Sequence, residues 1–281
     1  MIKGQIIKII SNDYTVQAED QFFICKSRGK FRNLKIKPLV GDFVEFDSKN
    51  NYILEILPRK NELLRPPVSN IDQAFIIASV KDPDFSSNLL DKLLVIIEYH
   101  NITPIICLTK MDLLEEAEIL QIRTIKDYYK SLGYLIFEST ELNEIKSLFQ
   151  DKTSIFTGQS GAGKSTLINK IDPSFSLQTA EISYALGRGK HTTRHTELLY
   201  LCDGLVADTP GFSSLNFYDM NVEDIRDQYP EFNRYKGSCE YRDCMHLKEP
   251  NCMVKEQVEK EVILKSRYEN YLQFLESKKQ R

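Results

Sequence analysis

The first sixty residues alternate apolar and polar positions in short runs. These runs are GQIIKII, DYTVQA, QFFICKS, GDFVEFD and NYILEIL, and turn-forming residues such as Ser11-Asn12-Asp13 separate them. A two-residue period is typical of half-buried β-strands. Five short strands without an intervening helix predict a small closed or partly closed barrel, and an OB-like fold is the leading candidate.

The pattern changes after the polar segment RKNELLRPPVSN, in which Pro66 and Pro67 disfavour a helix. Beyond it, near-continuous apolar runs such as IDQAFIIASV alternate with segments of helical spacing such as SSNLLDKLLVIIEYH, which has a serine N-cap. This alternation predicts an α/β domain with a parallel sheet and helices on both faces. After Ser213 the periodicity fades, and the last residues, from VKEQ onwards, predict one amphipathic helix.

Composition limits the possible functions. The apolar share of 42% and the charged share of 27% fit a soluble globular protein. No apolar run approaches the roughly 20 residues of a membrane span, and the start, MIKGQIIKII, lacks a cleavage site for a signal peptide. With a net charge of -3, nucleic-acid contact must come from local basic patches. We therefore expect no membrane partner.

The segment GQSGAGKST, residues 158–166, matches the phosphate-binding pattern G-x-x-x-x-G-K-[ST] between a predicted strand and a predicted helix. Its glycines let backbone N–H groups surround an anion, next to the positive helix N-terminus. Lys164 can reach the outer phosphates, and the Ser165 hydroxyl can bind Mg²⁺. The strand and helix on either side disfavour the alternative of a chance glycine turn. The expected nucleotide contacts are Gly158, Gln159, Ser160, Gly161, Ala162, Gly163, Lys164, Ser165 and Thr166.

The segment VADTPG ends another apolar strand. Asp208 is the expected outer ligand of Mg²⁺, and the Gly211 N–H can sense a γ-phosphate. A plain strand followed by a Pro-Gly turn is the alternative, and the phosphate-binding loop disfavours it. Phe212 follows, where many GTPases carry a glutamine that positions water. Either hydrolysis is slow or another residue does this work.

The segment TKMD, from Thr109 to Asp112, resembles a guanine-reading motif. A carboxylate can accept bonds from guanine N1–H and the 2-amino group, whereas adenine would leave it unpaired, a difference of about 10⁴-fold. The Lys110 stem can pack over the base. The alternative is a helix junction with Asp112 as N-cap. The expected base contacts are Thr109, Lys110, Met111, Asp112 and, from the segment FEST, main-chain groups of Ser139.

The segment GRGKHTTRHTEL lies between the phosphate loop and DTPG. It is rich in glycine, basic residues and hydroxyls. Thr192 or Thr193 can complete the Mg²⁺ shell, and His191 can orient the attacking water. The expected catalytic residues are therefore His191, Lys164 and Thr193, with Ser165, Thr193 and Asp208 on magnesium. A solvated basic loop is the alternative.

Cys239, Cys244, His246 and Cys252 lie within a short polar segment, with the spacing C-x4-C-x-H-x5-C. Three thiolates and one imidazole suit a closed tetrahedral Zn²⁺ site, which leaves no open position for catalysis. The polarity of the segment argues against scattered core cysteines. The remaining three cysteines are isolated, and this usage suits a reducing cytosol.

The segment CKSRGKFRNLKIK, residues 25–37, holds six Lys or Arg residues and no acid. Phe31 lies in its middle, and Phe22 and Phe23 precede it. Basic and aromatic residues together on a small barrel are typical of RNA contact. A solvated hairpin explains this segment equally well.

Together these segments resemble the bacterial RsgA (YjeQ/YloQ) family, circularly permuted GTPases that act on the small ribosomal subunit. The order of TKMD, GQSGAGKST, GRGKHTTRHTEL and DTPGF is rotated relative to ordinary GTPases, and the resemblance covers nearly the whole chain. It implies an OB-fold RNA-binding domain at 1–64, a permuted GTPase domain (the G domain) at 65–215, and a zinc-binding helical domain at 216–281.

The resemblance also implies GTP hydrolysis, stimulated by the small ribosomal subunit and its rRNA during late maturation. The family's zinc ligands match Cys239, Cys244, His246 and Cys252, its switch histidine matches His191, and an apolar residue stands at Phe212. The expected protein is a cytoplasmic monomer. Thr109 replaces an asparagine that ties the base reader to the phosphate loop in other GTPases, which predicts a modest nucleotide affinity.

Two other functions remain open on the sequence. The missing glutamine after DTPG fits an RNA-binding module whose nucleotide site serves only as a switch. A P-loop ATPase or kinase is the third possibility, and TKMD argues against it.

Overall fold

The computed structural model describes residues 1–27, 31, 36–64, 67–175, 196–208 and 215–279. The strands are β1 (Ile2–Ile10), β2 (Asp13–Ala18), β3 (Gln21–Ser27), β4 (Phe43–Asp47), β5 (Tyr52–Ile56), β6 (Glu62–Leu64), β7 (Pro67–Ser69), β8 (Gln73–Ser79), β9 (Thr103–Thr109), β10 (Leu135–Glu138), β11 (Thr153–Gly158), β12 (Glu197–Leu201) and β13 (Gly204–Asp208). The helices are α1 (Ser87–Tyr99), α2 (Glu116–Ser131), α3 (Leu142–Ser147), α4 (Lys164–Ile171), α5 (Val222–Asp227), α6 (Pro230–Asn233), α7 (Met253–Glu259) and α8 (Lys265–Lys279). Among these described helices, none has the length and apolar content needed to cross a bilayer.

Strands β1 to β5 form a closed barrel. The pairing order β1-β2-β3-β5-β4 returns to β1 through an antiparallel β1–β4 ladder. Alternate residues point inward, and Ile6, Val16, Cys25, Val44 and Ile53 are completely buried. This five-stranded closure confirms the predicted OB-like fold.

The three phenylalanines next to the basic segment have different environments. Phe31 lies in the barrel core at 5% exposure, and the ring of Phe23 packs 5.0 Å from that of Phe46. Phe22 is 59% exposed, because neighbouring residues of a strand point to opposite faces. Phe31 is therefore a core residue, and the expectation that groups it with an RNA-contacting surface is wrong.

The chain divides into two compact units. Unit 1 comprises 1–75, 139–157 and 164–214, and unit 2 comprises 76–138, 158–163 and 215–281. In unit 1, β11 and β13 are parallel, as predicted for the α/β domain. β12 runs antiparallel to β13, and the sequence analysis does not anticipate this strand. Cys202 and Asp203 join the two strands with positive φ angles of 49° and 58°, which suit a tight hairpin turn.

In unit 2, β9 lies between β8 and β10, and β9 and β10 are parallel. Helix α1 follows β8, and its predicted serine cap is confirmed. The Ser86 hydroxyl accepts a hydrogen bond from the Leu89 N–H at 3.2 Å. Seven residues of the helix are buried, namely Leu90, Asp91, Leu93, Leu94, Val95, Ile96 and Ile97, as expected of a helix that packs against its surroundings on more than one side.

The prediction of one continuous helix from residue 254 onwards is wrong in the middle of that segment. The chain forms α7 and α8 with a turn between them, where Glu261 has a φ of 57°. The Gln257 carbonyl accepts hydrogen bonds from the N–H groups of Val262 and Ile263. This turn places Ile263 in the interior at 1% exposure, so tertiary burial overrides helical spacing.

Arg267 of α8 is completely buried, and two acids surround it. Its Nε lies 2.6 Å from Glu231 Oε1, and its Nη1 lies 2.6 Å from Asp91 Oδ1. The Tyr129 hydroxyl donates to the same Asp91 oxygen at 2.5 Å. Removing one member of such a buried group leaves an uncompensated charge, at a cost of about 3–5 kcal/mol. The network holds α8 against α1 and α6 in unit 2.

Candidate functional site

The glycine-rich loop has the predicted position between a strand and a helix. All six residues of β11 are buried, and α4 begins at Lys164 directly after the loop. Gly158 has a φ of 131°, and a Cβ there would come within 2.2 Å of the Ile77 carbonyl oxygen. Gly163 also has a positive φ, of 91°. Both positions therefore require glycine, and together they curve the backbone ahead of a helix N-terminus.

The polar side chains of this loop differ in exposure. Ser160, Ser165 and Thr166 are exposed, whereas Lys164 is half-buried. Burial lowers the pKa of the Lys164 ammonium, because a cation is poorly solvated there. An anion bound in the loop would restore the favourable environment of this charge.

Thr109 connects the base reader to the phosphate loop. It is buried at the end of β9, and its hydroxyl donates a 2.6 Å hydrogen bond to the carbonyl oxygen of Ala162. Threonine therefore also ties the two segments together, and the modest nucleotide affinity expected from the missing asparagine stays a prediction. A threonine hydroxyl is shorter than an asparagine amide, but it reaches a main-chain acceptor because β9 and the loop lie close together.

The next residues of the motif lie at the surface. Lys110 has a φ of 62°, and its Nζ donates to the Asp82 carbonyl oxygen. Asp112 is exposed within a 3-10 turn, next to the half-exposed Met111. The N-cap of α2 is Glu115, so the alternative that makes Asp112 the cap is excluded.

The main chain of Asp82 contacts the base-reading segment through Lys110, and the sequence motifs do not predict this contact. Asp82 follows the end of β8, and its neighbour Pro83 lies 3.8 Å from the position a Cβ of Gly161 would occupy. One feature of the sequence could have indicated this contact: Asp82 comes shortly after an apolar strand of a parallel sheet, and ligand-binding loops concentrate at such strand ends.

Ser139 and Asp208 follow or end other strands. β10 pairs with β9 so that Glu138 lies beside Leu108, and half-exposed Ser139 comes next. Asp208 is the last residue of β13, which runs parallel to β11. The side chain of Asp208 lies outside the described residues, as do the predicted site residues His191, Thr192, Thr193, Gly211 and Phe212.

The predicted metal ligands are brought together in unit 2. The ligand atoms of Cys239, Cys244, His246 and Cys252 all lie within 4.8 Å of one another. Two sulfurs, of Cys239 and Cys252, are 4.0 Å apart, and His246 Nδ1 lies 3.3 Å from the Cys252 sulfur. Thiolates on one tetrahedral Zn²⁺ would be separated by about 3.8 Å. The cluster can thus hold a metal ion, and its donor set fits zinc.

Burial changes the protonation of two of these ligands, and α8 contacts the backbone beside them. Burial lowers the pKa of His246 to about 4, so the imidazole is neutral at pH 7 and can act as a ligand. Burial raises the pKa of Cys244 to about 12, and a bound metal would reverse this shift. The hydroxyls of Tyr268 and Tyr271, both on α8, donate to the carbonyls of His246 and Met245 at 2.6 and 2.7 Å.

Two family models match the chain. The model described as RsgA GTPase matches residues 56–218, and the model described as RsgA N-terminal domain matches residues 3–53. The small ribosomal subunit biogenesis GTPase RsgA 2 of Oceanobacillus iheyensis is 53% identical over 284 residues, which are 98% of this chain and 97% of that protein. The small ribosomal subunit biogenesis GTPase RsgA of Enterococcus faecalis is 53% identical over 280 residues, 98% of this chain and 94% of that protein.

Solved structures agree with these matches. The crystal structure of YloQ, described as a circularly permuted GTPase, has a TM-score of 0.84 at 41% identity and covers 100% of this chain and 96% of that one. YjeQ from Thermotoga maritima has a TM-score of 0.85 at 35% identity, with coverage of 100% and 99%.

Proposed function

The chain belongs to the RsgA GTPase family and is a GTPase of small ribosomal subunit biogenesis, and we propose that its nucleotide site is built from TKMD and GQSGAGKST. Its G domain is circularly permuted, since the base reader precedes the phosphate loop in the chain. The observation that most supports this site is the hydrogen bond from the Thr109 hydroxyl to Ala162. It joins the two segments that must contact opposite ends of one nucleotide.

Each part of the nucleotide has a proposed partner. Asp112 accepts hydrogen bonds from guanine, the Lys110 stem packs on the base, and main-chain groups of Ser139 border it. Backbone N–H groups of residues 158–166 and the Lys164 ammonium bind the phosphates. Ser165, Asp208 and Thr193 surround Mg²⁺, and the Gly211 N–H contacts the γ-phosphate.

Hydrolysis to GDP and phosphate requires a positioned water. Phe212 has no polar group for this purpose, so His191 is the proposed positioning residue for the water. The decisive experiment is phosphate release from GTP with and without purified small ribosomal subunits. We expect strong stimulation in the wild type, and His191→Ala should retain GTP binding but lose the stimulation.

Two outcomes would redirect the proposal. Wild-type hydrolysis that subunits do not stimulate would favour the RNA-binding module with a switch-only nucleotide site. Full stimulation of His191→Ala would remove the role of His191 and leave the GTPase assignment intact. His100→Ala is a suitable control, because it changes a histidine at the end of α1.

Zinc is the proposed metal at the cysteine and histidine cluster. Structural zinc sites bind their metal with about 10 kcal/mol or more, and that energy stabilises the fold around them. We expect native mass spectrometry to find one zinc ion per chain. Cys252→Ser should lose the metal and lower the temperature at which unit 2 unfolds, whereas Cys202→Ser, at an isolated cysteine, should keep it. A metal-free wild type that remains folded would contradict the site.

The exposed face of the barrel is the proposed contact with rRNA. Phe22 and Ile24 are 59% and 65% exposed on β3, and Tyr52 is 42% exposed on β5. Lys26 lies beside Tyr52 in the strand pairing. Unpaired bases can stack on such aromatic rings, which contributes about 1–3 kcal/mol per base, while lysines contact phosphates.

Phe22→Ala is therefore expected to raise the subunit concentration that half-saturates GTPase stimulation by about fivefold or more. Leu120→Ala, at a residue of α2 that is 68% exposed, is the control for losing an exposed apolar side chain. An unchanged half-saturating concentration would remove this face from the rRNA contact.

The proposed domain limits are 1–64 for the RNA-binding barrel, 65–215 for the G domain and 216–281 for the zinc-binding domain. The proposed protein acts as a monomer in the cytoplasm, where small ribosomal subunits mature.

A further inference from the structure

The barrel and β12 meet in unit 1 at one pair of residues. β1 pairs with β12 through Lys8 and Glu197. On its other side, the backbone of Glu197 pairs with Asp208 of β13. Three neighbouring strands therefore place Lys8, Glu197 and Asp208 in one row across the sheet.

The side chains of Lys8 and Glu197 form an ion pair that is largely withdrawn from water. Lys8 Nζ lies 2.6 Å from Glu197 Oε2, and the two side chains are 21% and 4% exposed. A carboxylate buried to this extent is costly unless its cation stays in place. A displacement of β1 must therefore move β12 with it or break the pair.

A second contact joins the barrel to the same strand. The Gln17 amide of β2 donates to the Tyr200 hydroxyl, so barrel side chains hold both the first and the fourth residue of β12. Glu197 also belongs to the segment GRGKHTTRHTEL that precedes DTPG in the nucleotide site. β12 is thus attached to the barrel on one side and to the strand of Asp208 on the other.

The ion pair is separate from the core of the barrel. The buried cluster that holds the barrel together contains neither Lys8 nor Glu197, and ladders with β2 and β4 keep β1 in place. The barrel can therefore fold without this pair, and the pair serves the connection to β12.

We propose that Lys8 and Glu197 are positioning residues for subunit-stimulated GTP hydrolysis, which transmit the engagement of the barrel with rRNA to the strand that ends at Asp208. This inference rests on the proposed function, in which the barrel binds rRNA and Asp208 serves the Mg²⁺ site. The pair touches neither nucleotide nor magnesium and acts through the backbone of β12 and β13.

The test uses the full chain with both charges removed. Lys8→Met combined with Glu197→Gln keeps the side chains similar in size and leaves no unpaired buried charge. Lys3→Met is the matched control, because Lys3 lies on the same strand, is 73% exposed and has a loose 4.0 Å pair with Glu45. Phosphate release is measured at saturating GTP and Mg²⁺ over a titration of purified small subunits.

We expect the maximal stimulated rate of the double variant to fall at least about tenfold, while its half-saturating subunit concentration and subunit-free rate stay within about threefold of wild type. Lys3→Met should match the wild type. Phe22→Ala should show the opposite division, with a higher half-saturating concentration and a retained maximal rate. A loss of stability alone would not separate the two parameters in this way.

The charge-swapped variant, Lys8→Glu with Glu197→Lys, tests the pairing itself and should recover most of the stimulated rate. Wild-type stimulation of the double variant, or a change confined to its half-saturating concentration, would overturn this inference alone. If circular dichroism shows that the double variant is unfolded, the charge-swapped variant provides the test. A charge-swapped variant that folds but is not stimulated would overturn the inference, and one that is stimulated would support it. A wild type without stimulation would overturn the proposed function and this inference together.

Discussion

Lys164→Ala is expected to lower GTP affinity and GTP hydrolysis by at least about a thousandfold. The Lys164 ammonium is held half-buried at the start of α4, where burial already lowers its pKa. A cation that water solvates poorly gains more from a phosphate than an exposed cation does, because its desolvation has already occurred. Titration with a fluorescent GTP analogue measures the affinity, and phosphate release measures the hydrolysis.

Lys170→Ala is the matched control for that experiment. Lys170 lies in the last turn of the same helix and is exposed, so its loss changes the net charge equally without touching the loop. We expect near-wild-type binding and turnover from this variant. If Lys164→Ala also bound GTP with near-normal affinity, the loop would not be the phosphate site.

Asp112→Asn is expected to change the preferred base from guanine to xanthine. An asparagine can accept from xanthine N1–H and donate to its 2-carbonyl oxygen, whereas guanine presents two donors and leaves the amide mismatched. The ratio of GTP to XTP affinity should change by about 10⁴-fold. The Thr109 hydroxyl bond to Ala162 does not involve Asp112, so phosphate binding should survive and XTP should still be hydrolysed.

Competition between GTP, XTP and ATP for a fluorescent nucleotide gives this ratio directly. Asp127→Asn is the control, because Asp127 is an exposed acid on the adjacent α2. Base preference that is the same in Asp112→Asn and in the wild type would refute the role of Asp112.

Local patterns predicted much of the fold. The barrel strands come in short runs in which apolar and polar residues largely alternate, so their positions could be found from the sequence, and β2, which alternates most regularly, coincides with DYTVQA. The start of α1 was equally predictable, because a serine cap acts within one helical turn. The phosphate loop could be recognised for the same reason, since its glycine positions reflect short-range backbone demands at Gly158 and Gly163.

The unpredicted features depend on contacts between distant residues. Thr109 can tie the base reader to the phosphate loop in place of asparagine only because the Ala162 carbonyl lies close to it. This distance cannot be read from a local sequence pattern. The basic residues around Phe31 in the sequence favour a surface position for its ring, whereas the closed barrel buries it. Ile263 interrupts the C-terminal helix because the interior of unit 2 accepts it there. The pairing of Lys8 with Glu197 likewise exists only once β1 and β12 meet.

The three pairings of β1 become available at different times during synthesis. β2 and β4 follow β1 closely in the chain, so the barrel can close while later residues are still being added. β12 arrives only after most of the G domain has been made, and contacts that close so long a loop form slowly. We therefore expect the nascent chain to fold its barrel first and to leave the Lys8 stretch of β1 as an open strand edge. The β12–β13 hairpin covers this edge once it has been synthesised. Before that point the open edge can pair with a wrong strand, so we expect the nascent chain to be most prone to mispairing during this interval.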